Sequence, residues 1–310
     1  MNLKSEYSQS EVINLSNILN KVYSERKIVI ISTVLAVVLS VIYALSLPNI
    51  YKSSTLFTSN NETSSMTSGA MRSQFGGLAS LAGIQIPNSS GSDKTLIAIE
   101  MLKSKKFFSD YLYENILIEL MASEGWDQGS KKLLLDNEKY DANTKEWIRN
   151  VNPPLQKKPS TQEAHNAFLR LFSLEEKDPP FYEITVLHQS PIVAMRWNKL
   201  IMQSINEALR VYDVENSSKA IEFLMREMQK NNQVVLNDVF ASLIEQQTQK
   251  MMLADISEEY ALRTIDPAVA SEQRFSPKRR VIVILGTTLG LIISLLIIFV
   301  REYRKNKFIF

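Results

Sequence analysis

Two long runs of apolar residues near the ends of the chain dominate its pattern of hydrophobic and polar positions. They cover residues 28–47 and 281–300, and neither run contains a charged side chain. A helix needs about 20 such residues to cross the hydrocarbon core of a bilayer. We therefore predict two transmembrane helices, with residues 48–280 forming one domain on a single side of the membrane.

The two predicted spans leave tails at residues 1–27 and 301–310, which must lie on the same side of the membrane. Close to the membrane, seven basic residues stand on the tail side and five on the domain side. Because basic residues near spans favour the cytoplasm, we expect cytoplasmic tails and an external domain, periplasmic if the cell has a periplasm. The first run is too long for a cleaved signal peptide, and its leader is too acidic.

The next strongest pattern is the stretch from residue 192 to residue 266, which contains neither glycine nor proline. Ser190 can cap a helix here and Pro191 can occupy its first turn. An unbroken helix of this length would measure about 110 Å, and we expect a bend at residues 211–216. Such a helix is too long to bury its apolar side on a small domain. We predict that it protrudes and forms a coiled coil with copies of itself.

The apolar positions of this stretch repeat every three, four and seven residues, as in packed helices. The candidate oligomer contacts are Ile221, Leu224, Met228, Val235, Val239 and Leu243. In the second span, Gly286 and Gly290 form a Gly-x-x-x-Gly pattern, which lets helices approach closely. These glycines could pack against the first span, a neighbouring subunit or another membrane protein.

Residues 48–190 mix strand and helix patterns and are expected to form mainly an α/β base. Strands are predicted at 50–58 and 181–188 and helices at 93–115 and 161–172, while 123–160 is expected to be irregular. A glycine-containing stretch at 75–84 lacks the spacing of a phosphate-binding loop. An amphipathic lead-in is expected within residues 1–27, ahead of the first span.

The composition argues against most catalytic chemistry. The chain has no cysteine and two histidines, His165 and His188, and no spacing of acidic, nucleophilic or metal-binding residues suggests an active site. We therefore predict no catalytic, cofactor-binding or metal-binding residues, and a protein that is not an enzyme. The central domain is nearly neutral, which argues against nucleic-acid binding. Residues 278–280, Lys-Arg-Arg, could anchor to headgroups or contact an anionic lipid-linked saccharide.

A set of short stretches along the chain is distinctive. The most specific lies at residues 243–254, Leu-Ile-Glu-Gln-Gln-Thr-Gln-Lys-Met-Met-Leu-Ala, which Tyr260-Ala261 and residues 265–268 continue. The other stretches are residues 48–53 after the first span, 75–84, 98–104, 188–191 with Ala194, Trp197 and Asn198, and 276–279. Together these stretches resemble the Wzz-type chain-length determinants, the polysaccharide co-polymerases of bacterial inner membranes. The family's region before the second span is richer in proline than this one.

The resemblance implies an α+β membrane protein, with two transmembrane helices flanking a periplasmic α/β base domain and a long protruding helix. It implies a ring of identical subunits in the inner membrane with both termini cytoplasmic. It also implies a non-enzymatic role, in which the ring sets the modal length of a surface polysaccharide made by a separate O-antigen polymerase. Lipopolysaccharide O-antigen is the expected product, and the lipid-linked polysaccharide is a further candidate partner.

Other classes of function remain open from the residues alone. The alternative within polysaccharide export is a periplasmic adaptor or scaffold for another product, such as capsule or a glycan like enterobacterial common antigen. A membrane-anchored hydrolase would need a catalytic constellation, and a sensor would need an output domain larger than these tails. The short C-terminal tail carries no nucleotide-binding motif, so the chain does not resemble the co-polymerases fused to tyrosine kinases.

Overall fold

The computed structural model of the chain describes residues 23–60, 91–230 and 234–307. The described residues divide into two compact units, one formed by the chain up to Pro48 together with the chain from Ser276, and the other by Asn49–Phe275. The predicted lead-in helix falls in residues 1–22 and the glycine-containing stretch at 75–84, so both lie outside the described residues.

The described residues form both helices and strands. In chain order they are α1 Arg26–Ser46, β1 Tyr51–Ser59, α2 Gly91–Lys103, α3 Lys105–Phe107, a π-helical turn Phe108–Leu112, α4 Tyr113–Met121, β2 Ser123–Asp127, β3 Lys132–Leu135, β4 Tyr140–Asp141, β5 Glu146–Trp147, α5 Thr161–Leu171, β6 Phe172–Glu176, β7 Tyr182–His188, α6 Pro191–Lys230, α7 Val234–Ile256, β8 Leu262–Asp266 and α8 Arg279–Lys307.

The two predicted apolar segments are both helical and make up the first unit. Helix α1 and the part of α8 from Arg279 to Arg301 are long and apolar enough to cross a membrane. The two helices pack along each other. Most of their large apolar side chains are exposed in the isolated chain, as expected for surfaces that face lipid.

The second unit is built on a four-stranded antiparallel sheet with the order β6-β7-β1-β8. Strand β1 pairs with β7 from Tyr51 opposite His188 to Phe57 opposite Tyr182. Alternate residues of β1 are buried, so one face of the strand lies in the core. The strands predicted at 50–58 and 181–188 are confirmed. The edge strands β6 and β8 were missed, because such short segments carry too little alternation.

Helices cover the buried face of this sheet. The largest fully buried side chains include Trp197 and Ile201 from α6, Phe168 from α5, Phe108 from the π-helical turn, and Phe57 and Ile184 from the strands. Helix α5 confirms the helix predicted at 161–172. The helix predicted over 93–115 is instead interrupted at Ser104, whose hydroxyl accepts a hydrogen bond from the Phe107 amide at 3.1 Å and starts a new helix.

The segment expected to be irregular, 123–160, contains two small hairpins, β2–β3 and β4–β5. Lys131 and Lys145 in their turns adopt positive φ angles of 52° and 58°. The Arg149 guanidinium holds the rest of the segment, since it donates to both Glu163 carboxylate oxygens and to the carbonyls of Gln156 and Lys157. The segment is therefore more ordered than its sequence indicates.

The glycine-free stretch forms two antiparallel helices. Helix α6 has 40 residues and confirms the long helix, which begins at Pro191 with the Ser190 hydroxyl accepting from the Val193 amide. Helix α6 continues through 211–216, so the helix does not end where a bend was predicted. The helical region also ends before residue 266: α7 stops at Ile256, and residues 262–266 form strand β8.

Candidate functional site

Helices α6 and α7 form a helical hairpin that is the most distinctive surface of the second unit. Ser217 of α6 donates to Gln247 of α7 at 3.1 Å. Asp213 lies one turn before Ser217 in α6, and it accepts from Lys250, which lies about one turn after Gln247 in α7, at 2.7 Å. Because the partners advance in opposite directions along the two helices, the helices are antiparallel. No residue of α6 beyond Ser217 is buried, so α6 extends past the core from there to its end at Lys230.

The six predicted oligomer contacts all lie in this hairpin. Continuing the register of the Ser217–Gln247 pair places Ile221 opposite Leu243, Leu224 opposite Val239 or its neighbour, and Met228 opposite Val235 or its neighbour. Four of the six side chains are half-buried, while Val235 and Leu243 are exposed. The stripe predicted to need a second copy of the chain therefore has a facing helix within the chain. A role for these six residues between subunits stays a prediction.

A different set of apolar side chains is exposed on the hairpin, and the sequence did not reveal its aromatic members. Tyr212 and Phe223 are half exposed on α6, as is Met225, while Met252 and Ile256 are 64% and 78% exposed on α7. Tyr212 and Phe223 are separated by about three helical turns, so they share one side of α6. Their spacing can be read from the sequence, but the charged residues around them obscure the apolar pattern.

A cluster of charged and polar groups fixes the base of the hairpin. Asp213 accepts hydrogen bonds from Lys250 at one carboxylate oxygen and from the Tyr260 hydroxyl, at 2.7 Å, at the other. The Lys94 ammonium from α2 lies 3.0 Å from the same Asp213 oxygen and donates to the Tyr260 hydroxyl at 3.1 Å. Helices α2, α6 and α7 and the connection that contains Tyr260 thus meet at the Asp213 carboxylate.

Charge and burial act against each other at Asp213. Burial alone would raise its pKa, but the hydrogen bonds from Lys250 and Tyr260 and the charge of Lys94 outweigh burial, so the pKa lies below its usual value. Burial, together with the nearby Asp213 carboxylate, raises the pKa of Tyr260. Asp213 is therefore ionised and Tyr260 neutral near pH 7, which makes the cluster a structural tie between helices.

His188 is buried at the junction of β7 and α6, and it is held in one neutral form. Its Nδ1 accepts from the Ser190 amide at 3.0 Å, so Nε2, 3.1 Å from the Glu119 carbonyl oxygen, carries the proton and donates. Burial lowers the His188 pKa to about 4. With both ring nitrogens engaged, this histidine is a packing residue rather than a proton donor or acceptor for a substrate.

The Glu119 carboxylate completes this junction. It accepts from the Trp197 indole at 2.7 Å and from Arg196, and the Trp197 ring lies 4.9 Å from the His188 ring. The other histidine, His165, is buried against Phe108 with Nε2 3.1 Å from the Lys103 carbonyl oxygen. Among residues 23–60, 91–230 and 234–307, no three His, Asp or Glu side chains gather in a way that could hold a metal ion.

The two glycines of the second span face the first span within their unit. A Cβ atom built on Gly286 would lie 2.4 Å from the Ser40 Cβ, and one built on Gly290 would lie 2.5 Å from the Ala36 Cβ. Both distances are shorter than any real contact between carbon atoms. The close approach of α1 and α8 therefore depends on glycine at both positions. About two helical turns before Gly286, the Arg279 guanidinium donates to the Leu47 carbonyl at the end of α1, at 3.5 Å.

Two family models match the chain, and they cover its two ends. The chain length determinant protein family, Wzz, matches residues 11–115. The GNVR family, described as "G-rich domain on putative tyrosine kinase", matches residues 219–303. No curated protein sequence matches the chain.

Among solved structures, the chain is similar to a "full-length bacterial polysaccharide co-polymerase", at 14% identity and a TM-score of 0.44 over 94% of this chain and 99% of that one. It is also similar to a fragment of WzzB, a polysaccharide co-polymerase from Salmonella Typhimurium, at 11% identity and a TM-score of 0.31. That match covers 74% of this chain and all of the fragment.

Proposed function

Because the chain belongs to the Wzz chain-length determinant family, we propose that it sets the modal length of lipopolysaccharide O-antigen in the bacterial inner membrane. The family as a whole regulates polysaccharide chain length and is generally non-catalytic. The observation that carries the proposal is the Wzz match over residues 11–115, which includes the first span and β1.

In this proposal both termini are cytoplasmic and the unit formed by Asn49–Phe275 is periplasmic. The two candidate spans support this topology, because two crossings return the chain to the side on which it began. The excess of basic residues on the tail side favours the same orientation.

The proposed mechanism is that of a scaffold made of several copies of the chain. Each copy contributes one helical hairpin, and the outward-facing Tyr212, Phe223, Met225, Met252 and Ile256 supply apolar surface for contact between copies. Exposed apolar side chains on a long protruding hairpin are costly in an isolated chain, and packing between copies removes that cost. The assembled scaffold would hold the separate polymerase and so limit how long each glycan grows.

The proposed lack of catalysis is supported by what the histidines do. His188 and His165 are both buried, and His188 uses both ring nitrogens for the fold. Hydrolysis or transfer of a glycan by the purified chain would contradict this part of the proposal.

The experiment is a gel of surface polysaccharide from cells with the gene, without it, and with the gene restored. The proposal expects a cluster of bands at a preferred length, its collapse to a broad ladder on deletion, and its return on complementation. An unchanged O-antigen ladder would contradict the O-antigen role. A change in capsule instead would favour a scaffold for export of another polysaccharide.

A further inference from the structure

One end of the sheet unit is tied closely to both spans by the length of the chain. The Phe275 amide donates to the Ile50 carbonyl at 2.8 Å. Ile50 follows shortly after Leu47, which caps α1, and Phe275 stands shortly before Arg279, where α8 begins. Since an extended chain spans at most about 3.6 Å per residue, each residue lies within about 14 Å of the end of a span.

Two other segments meet at the same end. The Gln128 side chain, in the turn of the β2–β3 hairpin, donates to the Tyr51 hydroxyl at 2.7 Å. The Ser53 hydroxyl donates to the Val269 carbonyl at 2.8 Å, so the chain after β8 runs back along the start of β1. Residues far apart in sequence are thus gathered around the start of β1.

These segments present exposed apolar side chains beside exposed basic ones. Val269 is 66% exposed and Phe275 is 50% exposed. Lys131, Lys132 and Arg274 are exposed, and none of the three forms an ion pair with any residue that the structure describes. We call these five residues the collar.

The acidic groups near the collar cancel only part of its charge. The Asp127 carboxylate accepts from the Ser130 hydroxyl at 2.6 Å and the Gly129 amide at 2.9 Å. These hydrogen bonds lower its pKa, so it stays ionised. Glu272 is also exposed and close to Arg274 in sequence. Three cations against these two carboxylates leave one net positive charge.

Apolar side chains mixed with lysine and arginine are typical of surfaces that sit at the boundary between lipid and water. Basic residues near an anionic bilayer are attracted to its headgroups over roughly 10 Å. We propose that the collar rests on the bilayer and binds anionic phospholipid headgroups, so that the domain has a lipid contact besides its two spans. The proposal needs the spans to cross a membrane, but it does not depend on which polysaccharide is made.

The test uses the full chain in lipid nanodiscs. Because the natural sequence has no cysteine, Ser130→Cys places a single fluorophore in the β2–β3 turn. The control is Lys230→Cys at the far end of α6, which lies about 58 Å along the helix from Pro191. Quenching by lipids that carry a nitroxide on the headgroup reports the distance of each label from the bilayer surface. The discs contain phosphatidylcholine alone or with phosphatidylglycerol.

We expect the label at residue 130 to be quenched several-fold more than the label at residue 230, because a nitroxide quenches only fluorophores that come close to it. Added phosphatidylglycerol should increase quenching at residue 130 only, since its charge attracts the nearby lysines over short distances. The double variant Lys131→Asn with Lys132→Gln should remove that increase, and asparagine tolerates the positive φ at residue 131. Equal quenching at the two labels, or quenching at residue 130 that ignores both phosphatidylglycerol and the double variant, would overturn the proposal.

Discussion

His188 and Asp213 show how single buried groups hold neighbouring elements together. His188 is neutral and bonded at both nitrogens between β7 and α4, while Asp213 is charged and surrounded by three donors. Both residues lie outside the ranges that the two family models match. Their surroundings lead to predictions about the stability of the fold rather than about catalysis.

Lowering the pH should destabilise the fold through His188. The unfolded chain takes up a proton near pH 6.5, whereas burial keeps the folded side chain neutral down to about pH 4. The stabilising contribution is therefore complete above pH 6.5 and is lost as the pH falls toward 4. The loss amounts to about 3 kcal/mol. Thermal unfolding of the purified chain in detergent at several pH values measures it.

The matched controls for this prediction are two single substitutions. His188→Gln should lower stability at pH 7 and remove most of the fall between pH 6.5 and 4. His165→Gln should keep the fall. If the two variants lose the same pH dependence, His188 is not its source.

Removing the carboxylate of Asp213 should loosen the base of the hairpin. Asp213→Asn leaves Lys94 and Lys250 close together and without a counter-charge in a partly buried site, which costs roughly 3 kcal/mol. Glu215→Gln, nearby on the same helix, breaks only the exposed pair with Lys219 and should have no measurable effect. Chemical unfolding of both variants compares them, and equal stabilities would contradict the role given to Asp213.

Among the elements, the paired spans allow a clean test of which helix the glycines contact. Gly286→Ala should weaken the packing of α8 on α1, because the added Cβ atom would lie 2.4 Å from the Ser40 Cβ. Combining it with Ser40→Gly removes that clash and should restore most of the lost stability. The control, Leu289→Ala, changes an exposed side chain of α8, and its stability should not be rescued by Ser40→Gly. Thermal unfolding of the full chain in mild detergent compares the variants, and a Gly286→Ala variant that Ser40→Gly does not rescue would contradict the contact between the glycine and α1.

The sequence predicted the elements whose signal is long or strongly periodic, and it failed where pairing between distant segments decides the structure. The two spans, strand β1, strand β7 and the start of α6 follow from local pattern. The reversal between Lys230 and Val234 does not, because no glycine or proline marks it. It is decided by pairs such as Ser217 with Gln247, which no local window contains.

The candidate site was predictable to a lesser degree. The glycine pair in α8 was found from spacing alone, and the structure adds that Ser40 and Ala36 lie opposite. The six candidate contacts were found from their periodicity, but periodicity cannot say whether the facing helix belongs to the same chain. The outward residues Tyr212 and Phe223 escaped notice because they sit among charged neighbours such as Lys219 and Arg226.

For the whole molecule, assembly should depend on the outer face of the hairpin. Phe223→Asp places a charge on an exposed apolar site and should reduce the oligomer to smaller species, since a buried unpaired charge is strongly unfavourable at an interface. The neighbouring Glu222→Gln changes an exposed ion pair and should leave assembly intact. Light scattering of both variants in mild detergent measures their mass. Unchanged mass for Phe223→Asp would show that this face is not the interface.

The most direct measurement joins assembly to function in one strain. Cells lacking the gene receive the natural chain, Phe223→Asp or Glu222→Gln, and their surface polysaccharide is compared on a gel at matched levels of protein in the membrane. The account predicts a preferred length with the natural chain and with Glu222→Gln, and a broad ladder with Phe223→Asp. A preferred length that persists with a variant shown to be monomeric would contradict the claim that an assembled hairpin scaffold sets the length.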